Sequence, residues 1–380
     1  MTQSIYNLWS KIGEITGIQS GLSFNTESIH VAGIFSALVC CIFGYGVFAY
    51  TNSKNGIPKP QKQNLLNVVV VGASSGIGKE IAIQLAKSKA NKLILVARRE
   101  EQLREVQSTC YKSRQDCSNN SDGGLGDLLV KVIVADVNKS DDREALCSQA
   151  LSFFDSDSAT ESSGGIDLLV LCAGAITVKP VLELLSVDTT IDSGLGDSKK
   201  GLSRFSETLG STFSVNFFAP VDICNRFLPA LLCTSASGGR SPSIMVISSM
   251  AGLIGAPTRS IYSASKHALH GYFDSLRTEI EKFGVSVTLV CPGTVDTELR
   301  GSAIDANNGS DEAAAKIDAT KAKKRVNKGI SAEICASKAI DATLNGERML
   351  CIPFSYKIAY YLRVFFPNLV DRLAKKKYGY

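Results

Sequence analysis

Seven short, nearly unbroken apolar runs rich in branched side chains punctuate residues 66–352, and their spacing constrains the fold more than any other feature. The runs cover residues 66–71, 92–97, 129–135, 166–171, 243–248, 285–291 and 348–352. Strands apolar on both faces belong to a sheet that is covered on both sides, the usual situation of parallel sheets. Helix-length amphipathic stretches at 77–88, 143–154, 205–232, 262–283 and 331–344 fall between the runs. Crossovers of that length are what parallel pairing requires. The expected architecture is α/β, a doubly wound parallel sheet of seven strands with helices on both faces. Polar, Gly/Ser/Asp-rich stretches at 113–127, 155–165, 187–200 and 234–242 read as surface insertions. A longer one at 301–328 falls where a substrate lid would sit.

The chain ahead of the first run has a different character. Between Glu27 and Lys54 there is no Asp, Glu, Lys or Arg, and residues 31–50 are apolar enough to cross a hydrocarbon layer of roughly 30 Å as a helix. The expected organisation is a segment 1–28, a transmembrane anchor 29–53, a linker 54–65 holding Pro58 and Pro60, one catalytic domain 66–352 and a tail 353–380. A cleaved secretory signal fits poorly, because the apolar run starts late and lacks a basic leader. Lys54, Lys59 and Lys62 follow the span whereas only Lys11 precedes it, so the positive-inside bias points the domain to the cytosol. Asn119, Asn138 and Asn308 open glycosylation triplets that would be used only in the opposite orientation.

Composition narrows the function classes. With 380 residues, 44% hydrophobic and 20% charged, the chain suits one large domain with a full core. A net charge of +5 with no Lys/Arg block outside the extreme C-terminus disfavours a nucleic-acid partner. Eleven cysteines without paired CxxC spacing read as reduced thiols, and no metal site is expected.

The first strand runs into Gly72-Ala-Ser74-Ser75-Gly76-Ile77-Gly78 and then a helix. Glycines permit a tight turn there, and a helix N-terminus offers free N–H groups to a pyrophosphate, as in a Rossmann-type sheet. Gly72 to Gly76 also satisfies the G-x-S-x-G elbow of α/β-hydrolases, but no strands precede it, and His30, His267 and His270 lie in the anchor region or a helix. The second strand ends in Arg98-Arg99 with no carboxylate, which suits the 2′-phosphate of NADP(H) over the ribose hydroxyl of NAD. Arg98 is taken as the clamp, with Arg99 held by Glu100 and Glu101. Asp136 and Val137 follow the third strand, where an adenine edge and face would rest.

Tyr262-Ser-Ala-Ser-Lys266 places a phenol and an ammonium four residues apart on one helix face, where the cation stabilises the phenolate and readies the phenol to give up its proton. Tyr50 and Lys54 share that spacing beside the anchor and are read as accidental. Thirteen residues before Tyr262, the fifth strand delivers Ser248 and Ser249 at its C-terminal end, where a hydroxyl can orient a carbonyl. After the sixth strand, Pro292, Gly293, Val295 and Thr297 offer backbone and hydroxyl groups to a nicotinamide carboxamide.

In this order the residues resemble the short-chain dehydrogenase/reductase family, over about residues 66–352. The resemblance implies that Gly72, Gly76 and Gly78 form the cofactor loop, that Ala173 and Gly174 line it, and that Asn216 joins a water-linked proton relay. It also implies that Ser249, the second serine of the pair, orients the carbonyl, with Tyr262 as proton donor beside Lys266. The segments around Ser249, Lys266 and Phe273 look closest to a membrane-bound subgroup, with 11β-hydroxysteroid dehydrogenases as more distant relatives, and imply an endoplasmic reticulum membrane. Two positions depart from the family pattern: Val71 replaces a threonine, and Cys172 replaces the asparagine that ties the central sheet together. The tail 355–378 reads as one or two amphipathic helices broken at Pro367, facing lipid or packing on the domain or on a second subunit of a homodimer. The expected activity is NADPH-dependent reduction of a carbonyl on a lipophilic substrate: a keto-lipid such as acyl-dihydroxyacetone phosphate or 3-ketosphinganine, a retinoid or a steroid. The competing class is a membrane interaction protein that keeps the fold without turnover.

Overall fold

The computed structural model describes residues 65–118, 127–155, 165–187, 198–237, 241–301, 303–305 and 329–378. The expected anchor, most of the 301–328 stretch and the centres of the four polar insertions lie outside the described residues. The main sheet comprises β1 (Leu66–Val71), β2 (Ala90–Ala97), β3 (Leu129–Val134), β4 (Leu168–Leu171), β5 (Ser243–Ile247), β6 (Ser286–Pro292) and β9 (Met349–Ile352). Their order is β3-β2-β1-β4-β5-β6-β9, and every neighbouring pair is parallel. The seven expected strands therefore form one sheet. Unforeseen is a two-residue parallel pair, β7 (Val295–Asp296) with β8 (Ile330–Ser331), which is too short to carry any periodicity.

Each strand sends alternate side chains to opposite cores. Val68 and Val70 pack with α1 (Gly76–Ser88), α2 (Glu100–Ser118) and α8 (Ala332–Leu344), whereas Val69 and Val71 pack with α3 (Ser140–Asp155), α6 (Ala219–Ala236) and α7 (Ser260–Ile280). Helix α2 was not expected, and its last residues were read as the start of an insertion. Its surface is strongly charged, yet Leu103, Val106, Cys110 and Arg114 are buried at helical spacing. Lys92 opens the apolar part of β2 but is itself buried. Its ammonium donates to the carbonyls of Phe153 (3.1 Å) and Phe154 (3.3 Å), at the end of α3, where a cation meets the negative end of the helix dipole.

The expected helix over 205–232 is longer and interrupted. It runs from α5 (Ser198–Phe213) through a wide turn, Ser214–Phe218, into α6. In that turn the Ala219 N–H bonds back to the Ser214 carbonyl. Pro220 has no N–H to give the Asn216 carbonyl four residues earlier, which accounts for the ladder widening here. By length and composition the stretch Lys199–Ala236 would suffice to cross a membrane. In this fold, however, Ile223, Phe227 and Leu231 of α6 are packed against the sheet.

A short turn, α4 (Val181–Leu184), precedes α5, and the tail forms α9 (Ser355–Phe365) and α10 (Pro367–Tyr378) on either side of Pro367. Phe273, fully buried between α7 and the sheet, is central to the second core. Phe273→Ala is expected to cost about 3–5 kcal/mol, read as a lowered denaturation midpoint of the full chain in detergent.

Candidate active site

The strands end along one edge of the sheet, and the segments that follow them line a single cleft of about 810 Å³. Its first wall is the β1–α1 turn. Gly72 has φ +92°, and a Cβ on it would lie 2.5 Å from the Ala173 nitrogen. A Cβ on Gly78 would lie 2.2 Å from the Gly72 carbonyl oxygen. The turn can therefore close only with glycine at both places, and it leaves the N-terminus of α1, with no acid in its first turn, facing the cleft beside Ser74, Ser75, Gly76 and Ile77. Such a cradle fits the pyrophosphate of a nicotinamide dinucleotide.

Arg98 and Arg99, both exposed, line the adjoining end. The Arg99 guanidinium donates to the Ser74 (3.1 Å) and Ser75 (2.8 Å) hydroxyls. Glu100, expected to hold Arg99, instead accepts from Arg104 one turn along α2 at 2.5 Å. Arg99 thus belongs to the site alongside Arg98; the neighbouring acids in the sequence obscured it. Asp136 and Val137 line the cleft as expected, but the Asp136 carboxylate is occupied with its own turn, accepting from the Asn138 N–H at 3.1 Å.

At the other end Tyr262 and Lys266 come together on α7, both buried. The ammonium is 6.0 Å from the phenol ring centroid and donates to the Ile247 carbonyl, at the end of β5, at 3.0 Å. Burial pushes the Lys266 ammonium down to about 8, so it gives up its proton far more readily than a solvated lysine. Asn216 is fully buried in the wide turn. It clasps the loop after β4 by accepting from the Ala175 N–H (2.8 Å) and donating to the Ala175 carbonyl (2.9 Å), and it also donates to Ser265 on α7 (3.0 Å).

The serine pair divides. Ser248 is buried with its hydroxyl 2.9 Å from His270 Nε2. Ser249 lines the cleft, its hydroxyl accepting from the Ala251 N–H at 3.1 Å. Ala173, Gly174, Pro292, Gly293, Val295 and Thr297 complete the walls. Arg259 before α7, Tyr356 on α9 and the Leu373 to Tyr378 end of α10 also line the cleft without having been expected there. The amphipathic pattern of the tail hinted at the two contributions from α9 and α10.

A family model described as short chain dehydrogenase matches residues 66–308, which spans the glycine turn, the serine pair and the Tyr262–Lys266 helix face. The chain belongs to the short-chain dehydrogenase family, a family of oxidoreductases. This short-chain dehydrogenase is 29% identical to hydroxysteroid 11-beta-dehydrogenase 1-like protein B of Xenopus laevis, over 92% of this chain and 98% of the relative. It is 30% identical to dehydrogenase/reductase SDR family protein 7-like of Dictyostelium discoideum, over 81% of this chain and 80% of that one. Among solved structures, a Burkholderia phymatum short-chain dehydrogenase/reductase in complex with NAD superposes with a TM-score of 0.61 at 20% identity, covering 81% of this chain and 95% of its own, which supports the fold.

Within this short-chain dehydrogenase, Cys172 stands in place of the family's asparagine. Burial pushes its thiol up to about 12, so a neutral sulfur packs against Gly78 at the start of α1, where a Cβ would lie 3.2 Å from it. His270 behind Ser248 is held neutral in the same way, since burial pushes its imidazole down to about 4. Because the unfolded chain binds that proton near pH 6.5 and the folded one does not, stability is full above about pH 6.5 and declines as pH falls toward about 4. His270→Gln is expected to flatten the pH 7 to 5.5 part of a denaturation-midpoint profile, above the range where carboxylates titrate.

Proposed function

We propose that this short-chain dehydrogenase reduces the carbonyl of a lipophilic substrate with NADPH, Tyr262 giving the proton. The observation that carries the reading is the convergence of Tyr262, Lys266 and Ser249 at one end of a cleft whose other end holds the α1 N-terminus and two arginines. A dinucleotide would lie along Gly72, Ser74, Ser75, Gly76, Ile77 and Gly78, with Asp136 and Val137 at its adenine end and Pro292, Gly293, Val295 and Thr297 at the other. Arg98 and Arg99 would clamp a 2′-phosphate through charge-assisted hydrogen bonds. When bound, a reduced nicotinamide supplies the hydride.

The chain's own residues do the rest. Ser249 holds the carbonyl oxygen through its O–H hydrogen, and the Tyr262 phenol passes its proton to that oxygen as negative charge develops there. Lys266, fixed by the Ile247 carbonyl, stabilises the phenolate that remains. Asn216 positions the loop after β4 and, with a backbone carbonyl to which Pro220 has no N–H to give, offers a foothold for a water that returns the proton.

The lipophilic substrate class is supported by the apolar walls that the tail contributes and by the tail's outer face. Phe354, Ile358, Val364, Phe365 and Phe366 are exposed there, with Lys357, Arg363 and Arg372 among them. A face of that kind suits the lipid interface and would let a substrate enter from the bilayer, alongside an anchor at 29–53 in the endoplasmic reticulum with the domain in the cytosol. Relatives named for hydroxysteroid dehydrogenase point to the same kind of substrate. In assays of the full chain with NADPH and a panel of lipid carbonyls, Tyr262→Phe is expected to lower turnover at least ~10²-fold while NADPH still binds by calorimetry. Turnover surviving that substitution would sink the assignment, and NADPH binding without turnover by the wild type would favour a fold kept for interaction. Arg99→Ala is expected to raise the KM for NADPH about tenfold relative to NADH.

A further inference from the structure

Beside the cleft lies a buried carboxylate that the proposed chemistry does not use. Asp305 is 1% exposed, and its carboxylate accepts from two consecutive backbone N–H groups of the loop after β4. These are Val178, at 3.0 Å from one oxygen and 2.7 Å from the other, and Lys179 at 2.7 Å. One residue earlier, the Ile304 N–H donates to the Ile176 carbonyl at 3.0 Å. The Lys179 ammonium pairs with Glu183 at 3.1 Å, so it is the backbone of the loop that answers the Asp305 charge. A carboxylate is kept out of water only where such bonds are well formed, and bonds to a charged acceptor are the strong ones. Residues 303–305 are therefore fastened to the loop after β4 and do not merely rest on it.

What this clasp holds is the wall around the phenol. Ile176, Tyr262 and Ala303 pack as one small buried cluster, with Val178 and Ala251 beside it. Ile176 and Tyr262 line the cleft, and Ala303 is 3% exposed. Along the chain Ile176 is gripped from both sides: Asn216 holds Ala175 through its N–H and carbonyl, and Asp305 holds Val178 and Lys179. The Asn216 amide also donates to Ser265, which registers the first grip to the helix that bears Tyr262. The Asp305 clasp is the second grip, and it brings Ala303 into the cluster. Because a misplacement of about 1 Å at a reacting group costs about 10²-fold in rate, the packing of this ring bears directly on proton delivery.

We infer that Asp305 is a positioning residue for the Tyr262 phenol: by clasping Val178 and Lys179 it seats Ile176 and Ala303 around the ring and holds the hydroxyl in line with the substrate oxygen. It acts through Tyr262 and not by touching the substrate. The inference deepens the carbonyl-reductase reading and rests on it.

The test is a double-mutant cycle on the full chain in detergent, reading the single-turnover rate of NADPH oxidation at saturating lipid carbonyl. Asp305→Asn keeps the size of the side chain but puts an NH2 group in place of one accepting oxygen. It is expected to lower the rate about tenfold while NADPH affinity changes less than about twofold. In a Tyr262→Phe background the same substitution is expected to change the rate less than about twofold, because the hydroxyl it would misplace is gone. A merely structural tie would lower the rate equally in both backgrounds. Ala303→Gly leaves the carboxylate in place, removes only a methyl from the cluster, and is expected to lower the rate severalfold with the same non-additivity, which decides the matter if Asp305→Asn does not fold. A second arm needs no turnover: with 3-fluorotyrosine at position 262 of the NADPH-loaded chain, the fluorine resonance is expected to shift or broaden in either variant. Equal losses in both backgrounds, or a resonance unmoved in both variants, overturn the inference, and turnover by the wild type then keeps the reductase reading. A moved resonance in a protein that oxidises NADPH with no carbonyl would retain Asp305 as what seats the ring and remove the reductase reading.

Discussion

The register of β1 against β4 underlies the whole site. Val71 pairs with Leu171, so the two central strands end level and their continuations leave the sheet side by side, Gly72 beside Cys172 and Ala173. The strand order reverses there, with β2 and β3 to one side and β5, β6 and β9 to the other, and the crossovers depart in opposite directions. A crevice at that reversal is a consequence of connectivity rather than of any particular side chain. Arg98 follows β2, Asp136 follows β3, Ser249 follows β5 and Gly293 follows β6, so chemistry-bearing residues remote in sequence meet at one rim.

Holding charged and polar groups in that rim requires partners in the core behind it. Lys266 keeps its ammonium out of water by donating to the Ile247 carbonyl, and the Ser248 hydroxyl shares a hydrogen bond with a neutral histidine. Gly252 packs so closely over this group that a Cβ would meet the Ser248 hydroxyl at 2.8 Å and His270 at 2.9 Å. Asn216 joins three elements through its amide, which fixes the α7 helix face relative to the loop after β4. Lys266, Ser248 and Asn216 are each satisfied by a neighbouring group, which holds the rim in place.

Much of this was readable from residues alone, for definable reasons. Buried parallel strands declare themselves as continuous apolar runs, and all seven were found within a residue or two of their ends. The glycine turn and the Tyr262–Lys266 spacing were legible because backbone closure and helix periodicity leave few alternatives. Helix α2 was missed because its buried face is narrow and its remaining surface is charged. The wide turn at Asn216 had a signal in Pro220, which removes a helical donor. Arg99, which lines the cleft beside the expected Arg98, was passed over because pairing was assumed between adjacent residues, whereas Glu100 reaches Arg104 instead. The cleft-facing role of the tail was beyond reach: amphipathicity shows that a helix has an apolar face, not which surface that face meets.

That tail has a consequence for how the molecule can change. Tyr262, Lys266 and Ser249 are anchored on the sheet and α7, whereas much of the wall around the mouth comes from α9 and α10, attached after the last strand through Arg363 to the Leu253 carbonyl and through Val370. Divergence in those two helices can reshape the entrance while the strands that carry the chemistry stay unaltered. Grafting the corresponding helices between relatives is accordingly a route to new selectivity that leaves the reaction machinery in place.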